Sequence, residues 1–117
     1  MKTPFTYHVA RVVRWVDADT VDIDIDLGFG VFRRSRFRLA GINAFEKYEA
    51  RGKRAHSALL DLCPEGSQIT VSTFRRDWRD DKTGKYGRYL ADVTVKATGV
   101  IVNNWLLQEG HAIESPW

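Results

Sequence analysis

In the stretch Asp19-Thr20-Val21-Asp22-Ile23-Asp24-Ile25-Asp26-Leu27, polar and aliphatic residues alternate strictly over the eight positions from Thr20. Successive side chains of an extended chain point to opposite faces, so this period of two predicts a half-buried antiparallel strand. Val21, Ile23, Ile25 and Leu27 are expected on the core face, with Asp22, Asp24 and Asp26 in solvent. Upstream, the β-branched and aromatic content of residues 6–16 predicts a first strand. Downstream, Gly28-Phe29-Gly30 supplies a turn. Residues 31–42 then read as a third strand, with Ser35, Phe37 and Leu39 on one face and Arg34, Arg36 and Arg38 on the other. These three strands make a meander.

Ala55, Ala58, Leu59 and Leu62 recur at i, i+3, i+4 and i+7, which predicts a helix over 49–63 that stops at Pro64. Gln68–Phe74 and residues 86–96 read as two more strands, joined by a polar loop over 77–85 that contains Asp80-Asp81-Lys82-Thr83-Gly84. Ile101, Val102, Trp105, Leu106 and Glu109 predict a short second helix closed by Gly110. The order βββ-α-ββ-α is that of a β-rich α+β protein, a five-stranded OB-fold barrel with two helices. No linker or repeat interrupts it, so residues 1–117 are expected to form a single domain.

Composition narrows the function. With 44% hydrophobic and 28% charged residues the chain can bury a core, which excludes a disordered segment. It holds no apolar run long enough for a membrane span or a signal peptide, so a cytoplasmic protein with no membrane partner is expected. A single cysteine, Cys63, excludes a disulfide framework and multi-cysteine metal sites. His8, His56 and His111 have no metal-ligand spacing. The formal net charge is only +3, but its distribution is uneven. Residues 17–26 hold five aspartates and no cation, whereas residues 33–54 hold eight Lys/Arg against Glu46 and Glu49. Carboxylates beside guanidinium groups suit a metal-assisted phosphate site; they equally suit solvated faces that balance each other.

Three clusters can carry chemistry. Asp19 is in phase with Val21 and Ile23, and a carboxylate at that inward position is either a turn-capping group or a ligand. The neighbouring Asp22-Ile23-Asp24-Ile25-Asp26 is no EF-hand loop, because Leu27 and Arg33 stand where Gly and a bidentate Glu are needed. The second cluster runs from Arg38 to Glu46. Arg38 can fork onto a phosphate, Asn43 can give a neutral oxygen to Ca²⁺ or Mg²⁺, and Glu46 can take a proton from water. A surface ion pair or a helix N-terminal charge would account for the same residues. The third, Lys85-Tyr86-Gly87-Arg88, lacks the Ser/Thr and earlier glycine of a Walker A loop, but Arg88 can bring a second guanidinium while Lys85 and Tyr86 contact a neighbouring nucleotide. Trp78 is a candidate for base stacking, and Cys63 is read as core.

These clusters stand as Asp17-Ala18-Asp19-Thr20, Arg38 to Glu46 and Lys85-Tyr86-Gly87-Arg88, with a helix between the second and third. The set resembles the staphylococcal nuclease (thermonuclease) family, whose motifs are Asp-Gly-Asp-Thr, Arg-(x)₄-Asp-Thr-Pro-Glu and Lys-Tyr-Gly-Arg. The resemblance extends over residues 12–112, and Val102-Asn103-Asn104 with Gln108-Glu109-Gly110 is similar to that family's second-helix segment. It implies a Ca²⁺-dependent, sugar-nonspecific endonuclease that hydrolyses DNA and RNA to 3′-phosphate products.

By that resemblance Asp19, Asn43 and Ala44 are the metal residues, Ala44 through its backbone carbonyl. Glu46 orients or deprotonates the attacking water, and Arg38 and Arg88 clamp the phosphate. Asn43 stands where the family has a second metal aspartate, and Phe45 where it has proline. Trp117 would stand in for a pocket tyrosine, joining Lys85, Tyr86 and Trp78 in binding nucleic acid. The implied partner is DNA or RNA, preferentially single-stranded, with no protein partner. A catalytically impaired nucleic-acid-binding module of the same fold is the alternative, favoured by the neutral Asn43. A protein-interaction barrel, a third reading, would be indifferent to salt in the presence of DNA.

Overall fold

The computed structural model describes residues 5–74 and 89–116. The meander forms as expected from β1 (Phe5–Asp17), β2 (Thr20–Gly28) and β3 (Val31–Leu39), followed by β4 (Ile42–Ala44), α1 (Ala50–Leu62), β5 (Gln68–Phe74), β6 (Tyr89–Val95), α2 (Val102–Gln108) and β7 (Ala112–Glu114). Five strands close into a barrel in the order β1-β2-β3-β6-β5, with β5 returning to β1. All its pairings are antiparallel except β3 with β6, where Phe37, Arg38 and Leu39 face Tyr89, Leu90 and Ala91 in parallel. The architecture is an OB-like barrel, a strand-rich α+β fold.

The period-two reading of β2 holds where the barrel is closed. Val21 and Ile23 are fully buried and Ile25 nearly so, packed with Val12, Phe37, Leu39, Ile69, Val71 and Val93. Each such aliphatic side chain contributes about 1.5–3 kcal/mol by leaving water. Leu27 departs from the expectation and is 45% exposed. It lies at the mouth of the barrel remote from the β1–β2 turn, beside Phe5, Tyr7 and Arg33. The helix buries Gly52, Ala55 and Leu59. Its end is tied to β1 by the Trp15 indole, whose Nε1 donates to the Cys63 carbonyl at 2.9 Å.

The expected third strand over 31–42 is in fact two strands. It breaks at Ala40-Gly41, where Gly41 has φ +79°, a conformation open to glycine and strained for other residues. Beyond the break, β4 leaves the barrel and pairs antiparallel with β7, with Asn43 opposite Ile113. The expected element order lacks this small sheet. The loop over 77–85 and the first three residues of the strand expected over 86–96 lie outside the described residues.

Candidate active site

The site begins at the turn between β1 and β2, where Asp17 pairs with Thr20 and Ala18-Asp19 forms the bend. Ala18 and Thr20 are buried and hold the turn, so the Asp19 side chain is not driven into the core as its phase with Val21 suggests. It lies over the barrel end with 14% of its surface exposed. Oδ1 accepts from the Thr20 hydroxyl, and Oδ2 accepts from the Ala44 backbone N–H, each at 3.1 Å. The Asp19 carbonyl accepts from Leu39 N–H at 2.8 Å. One aspartate thereby joins the first hairpin to the end of β3 and to β4.

Arg38 approaches the same carboxylate from β3, with Nη1 at 3.8 Å from Asp19 Oδ2. Strand register explains why this arginine differs from its neighbours. Arg36 faces Asp22 and Arg34 faces Asp24 across the ladder, but Arg38 faces Thr20. The first two form forked pairs: Arg36 Nε and Nη2 lie 2.8 and 3.1 Å from the Asp22 oxygens, and Arg34 Nε and Nη2 lie 2.8 and 3.0 Å from those of Asp24. Hydrogen bonds from Arg36 and Arg34 hold the Asp22 and Asp24 carboxyls below their ordinary range, and raise the two guanidinium groups in turn. For these residues the balanced-face reading is correct. Arg38, with no carboxylate opposite, turns to β4 instead: Nη2 donates to Asn43 Oδ1 and lies 3.4 Å from the Ile42 carbonyl. Its Nε is buried and has no hydrogen-bond partner among the described residues.

Asn43 and Glu46 are exposed, and Ala44 is half-buried. The Glu46 carboxylate has no partner among the described residues, which leaves it available as a base. Its backbone, by contrast, is tightly held. Glu49 N–H donates to the Glu46 carbonyl at 3.0 Å, and a Cβ on Gly52 would come within 1.7 Å of that same oxygen. Only glycine allows α1 to sit so close to the Glu46 segment. The available sequence signal was a glycine inside a helix, where it costs about 1 kcal/mol relative to alanine and so calls for a packing reason.

Asn103 is the second residue that the sequence reading missed. Buried on α2, its Oδ1 accepts from Val93 N–H at 3.1 Å, and its Nδ2 reaches the carbonyls of Ala40 at 2.9 Å and Ala91 at 3.0 Å. It pins the break after β3 to β6. Its signal was a polar residue sharing the helix face of Val102 and Leu106. Cys63 is buried as expected, and burial pushes its thiol up.

The structure thus brings Asp19, Arg38, Asn43 and Ala44 together from three separate elements, with Glu46 two residues beyond Ala44. Arg88, Lys85, Tyr86, Trp78 and Trp117 lie outside the described residues. Among the described residues no three His, Cys, Asp or Glu side chains gather as a metal cluster. The residues expected to hold a metal, Asp19, Asn43 and Ala44, carry one carboxylate, one amide oxygen and one backbone carbonyl. Residues 36–115, more than half of the chain, match the family model described as staphylococcal nuclease homologue.

The chain belongs to this family. It is also similar to Protein ParB of Escherichia coli, at 37% identity over 87 residues that make up 73% of this chain and 41% of that protein. The chain therefore spans less than half the length of that relative. The staphylococcal nuclease match begins at Arg36 and includes Arg38, Asn43, Ala44 and Glu46, while Asp19 lies before it. It is the hydrogen bond from Ala44 and the approach of Arg38 that attach Asp19 to the matched segment.

Proposed function

We propose that this staphylococcal nuclease homologue is a Ca²⁺-dependent endonuclease that hydrolyses DNA and RNA phosphodiesters to 3′-phosphate products, with single strands preferred. The observation that carries the reading is the convergence of Asp19, Arg38 and Asn43, three residues before Glu46, whose exposed carboxylate has no partner among the described residues. Ladder pairing alone would not require such a group, because Asp22 and Asp24 already balance the neighbouring arginines.

The donor set fits Ca²⁺ in kind: Asp19, the amide oxygen of Asn43 and the carbonyl of Ala44 are hard oxygens, and the Ala44 N–H bond keeps Asp19 beside the other two. When bound, the ion would polarise a phosphoryl oxygen and offset developing negative charge. Glu46 accepts the proton of the attacking water, whose oxygen bonds to phosphorus while the bond to the 5′ oxygen breaks and that oxygen takes a proton from solvent water to leave as a hydroxyl. Arg38 exchanges its contacts with Asn43 and Ile42 for a forked contact with the phosphate, joined by Arg88.

The neutral Asn43, engaged by Arg38, favours a second reading: a binding module of the same family that has lost catalysis. Digestion of single-stranded and duplex DNA with Ca²⁺, with EDTA as control, separates the two. The nuclease reading expects cleavage abolished by EDTA and lowered about 10² to 10⁴-fold in Glu46→Gln, with binding retained. Binding without Ca²⁺-dependent cleavage by the parent would favour the module, and cleavage by Glu46→Gln at the parental rate would overturn the role of Glu46.

A further inference from the structure

The cations of the described residues fall into two populations. Arg11, Arg34, Arg36 and Arg38 are ion-paired. Lys47, Arg51, Lys53 and Arg54 are exposed, and none has an ion pair among the described residues. Those four stand against only Glu46 and Glu49 between residues 45 and 58. Among the described residues, the other exposed cations without an ion pair, Arg14, Arg33 and Lys96, are dispersed: Arg14 lies in the field of Asp22, Arg33 lines the far barrel mouth and Lys96 follows β6.

The unpaired cluster also adjoins the candidate site. Gly52 lets the first turn of α1 rest on the Glu46 carbonyl, so Arg51, Lys53 and Arg54 begin where the site ends. Arg51 is directed as well, since its guanidinium carbon stacks 4.2 Å from the centre of the Phe45 ring, one residue before Glu46. Such stacking holds the cation while leaving its N–H edge free to donate. Arg54 lies one helical turn along from Arg51.

We infer that this face of α1 carries the nucleic-acid backbone beyond the scissile phosphate, with Arg51 and Arg54 each contacting a phosphate. The inference rests on the nuclease reading above and adds a direction to it: substrate leaves the site along α1. Free charges attract a polyanion over about 10 Å, whereas forked ion pairs present little net field. Continuity with the site selects a nucleic-acid backbone as the polyanion.

The test compares two charge-matched doubles of exposed residues, Arg51→Gln/Arg54→Gln and Arg33→Gln/Lys96→Gln, binding fluorescein-labelled (dT)₁₂ in EDTA across a salt series. Each phosphate contact on a single strand contributes about 0.7 to the slope of log affinity against log salt. The α1 double should lower that slope by about 1.4, and the control double should leave it near the parental value. In Ca²⁺, the α1 double should raise KM for (dT)₁₂ severalfold at unchanged kcat, with no effect on a dinucleotide too short to reach α1. Equal slopes in the two doubles, lowered or not, would overturn the inference while leaving the nuclease reading intact if the parent cleaves. An α1 effect seen on anionic vesicles but not on (dT)₁₂ would assign the face to lipid and overturn it. A parent that bound no (dT)₁₂ at low salt would overturn both readings.

Discussion

Two groups of aspartates and arginines on this barrel, only a few residues apart, have opposite fates. On the outer face of β2 and β3, Asp22 with Arg36 and Asp24 with Arg34 close into forked pairs that satisfy both partners. At the end of the same ladder, Asp19 and Arg38 fall out of step, because Thr20 takes the position opposite Arg38. Asp19 then binds a backbone N–H of β4, and Arg38 turns to an amide oxygen. Residue type does not separate the groups; a register offset of one residue does. A site needs groups with capacity left for a ligand, and the offset supplies them.

Between these two groups the largest expected effect falls at the arginines. Arg38→Lys should lower kcat by about tenfold or more, because a point charge cannot reproduce a forked contact with a phosphate in the transition state. Arg36→Lys, on the balanced face, should leave kcat near the parental value. Single-turnover cleavage of a labelled oligonucleotide by both variants checks this, and equal losses would mean that the ladder belongs to the site.

Asn43 sharpens the comparison, since Asn43→Asp would give the turn the second carboxylate that the ladder already has. Two unit charges about 4 Å apart attract by about 4 kcal/mol at an effective dielectric near 20. If a third of that survives competition from Arg38, Ca²⁺ should bind about tenfold tighter. Activity titrated against Ca²⁺ gives the answer: superimposable curves for parent and variant would remove Asn43 from the ligand set.

The smallest effect concerns pH. The Asp22 and Asp24 carboxyls are depressed by their arginines, so the unfolded chain, with carboxyls near 3.8, binds more protons than the folded one as the solution is acidified. The ladder's contribution is therefore present above that value and lost as pH falls through the lower folded range. Arg34→Gln/Arg36→Gln should flatten the acid limb of Tm against pH below about 4 and change Tm little in neutral high-salt buffer, as expected of exposed pairs. An unchanged acid limb would show that the forks carry no stability.

Much of this was legible in the sequence. Strict alternation over Thr20 to Leu27 located β2, and the apolar spacing of Ala55 and Leu59 located α1. The motif residues Asp19, Arg38, Asn43 and Ala44 were picked out from the sequence and lie together in the structure, although the turn position of Asp19 replaced the expected inward one. Strands β4 and β7 were not legible, because three residues are too few for a period and their pairing joins positions about seventy apart. Gly52 and Asn103 escaped for a related reason: apart from the Asp92 carboxylate that Asn103 also reaches, their partners are backbone atoms, which carry no sequence signature. The split of the basic residues into paired and unpaired sets also needed the register, since sequence alone counts charges without matching them.

The small β4–β7 sheet gives the protein two separable thresholds of order. Residues 42–44 hold Asn43 and Ala44 on a strand of three residues, while each antiparallel ladder of the barrel pairs five residues or more. Short, exposed pairings open locally at a lower free energy than a core opens globally. Opening of β7 would release Asn43 and Ala44 with the barrel still folded, so on the proposed reading the site could come apart before the barrel does. On that reading the working temperature of the site would be set by a six-residue sheet outside the barrel, and a sequence stabilised only in its core would gain melting temperature without gaining function.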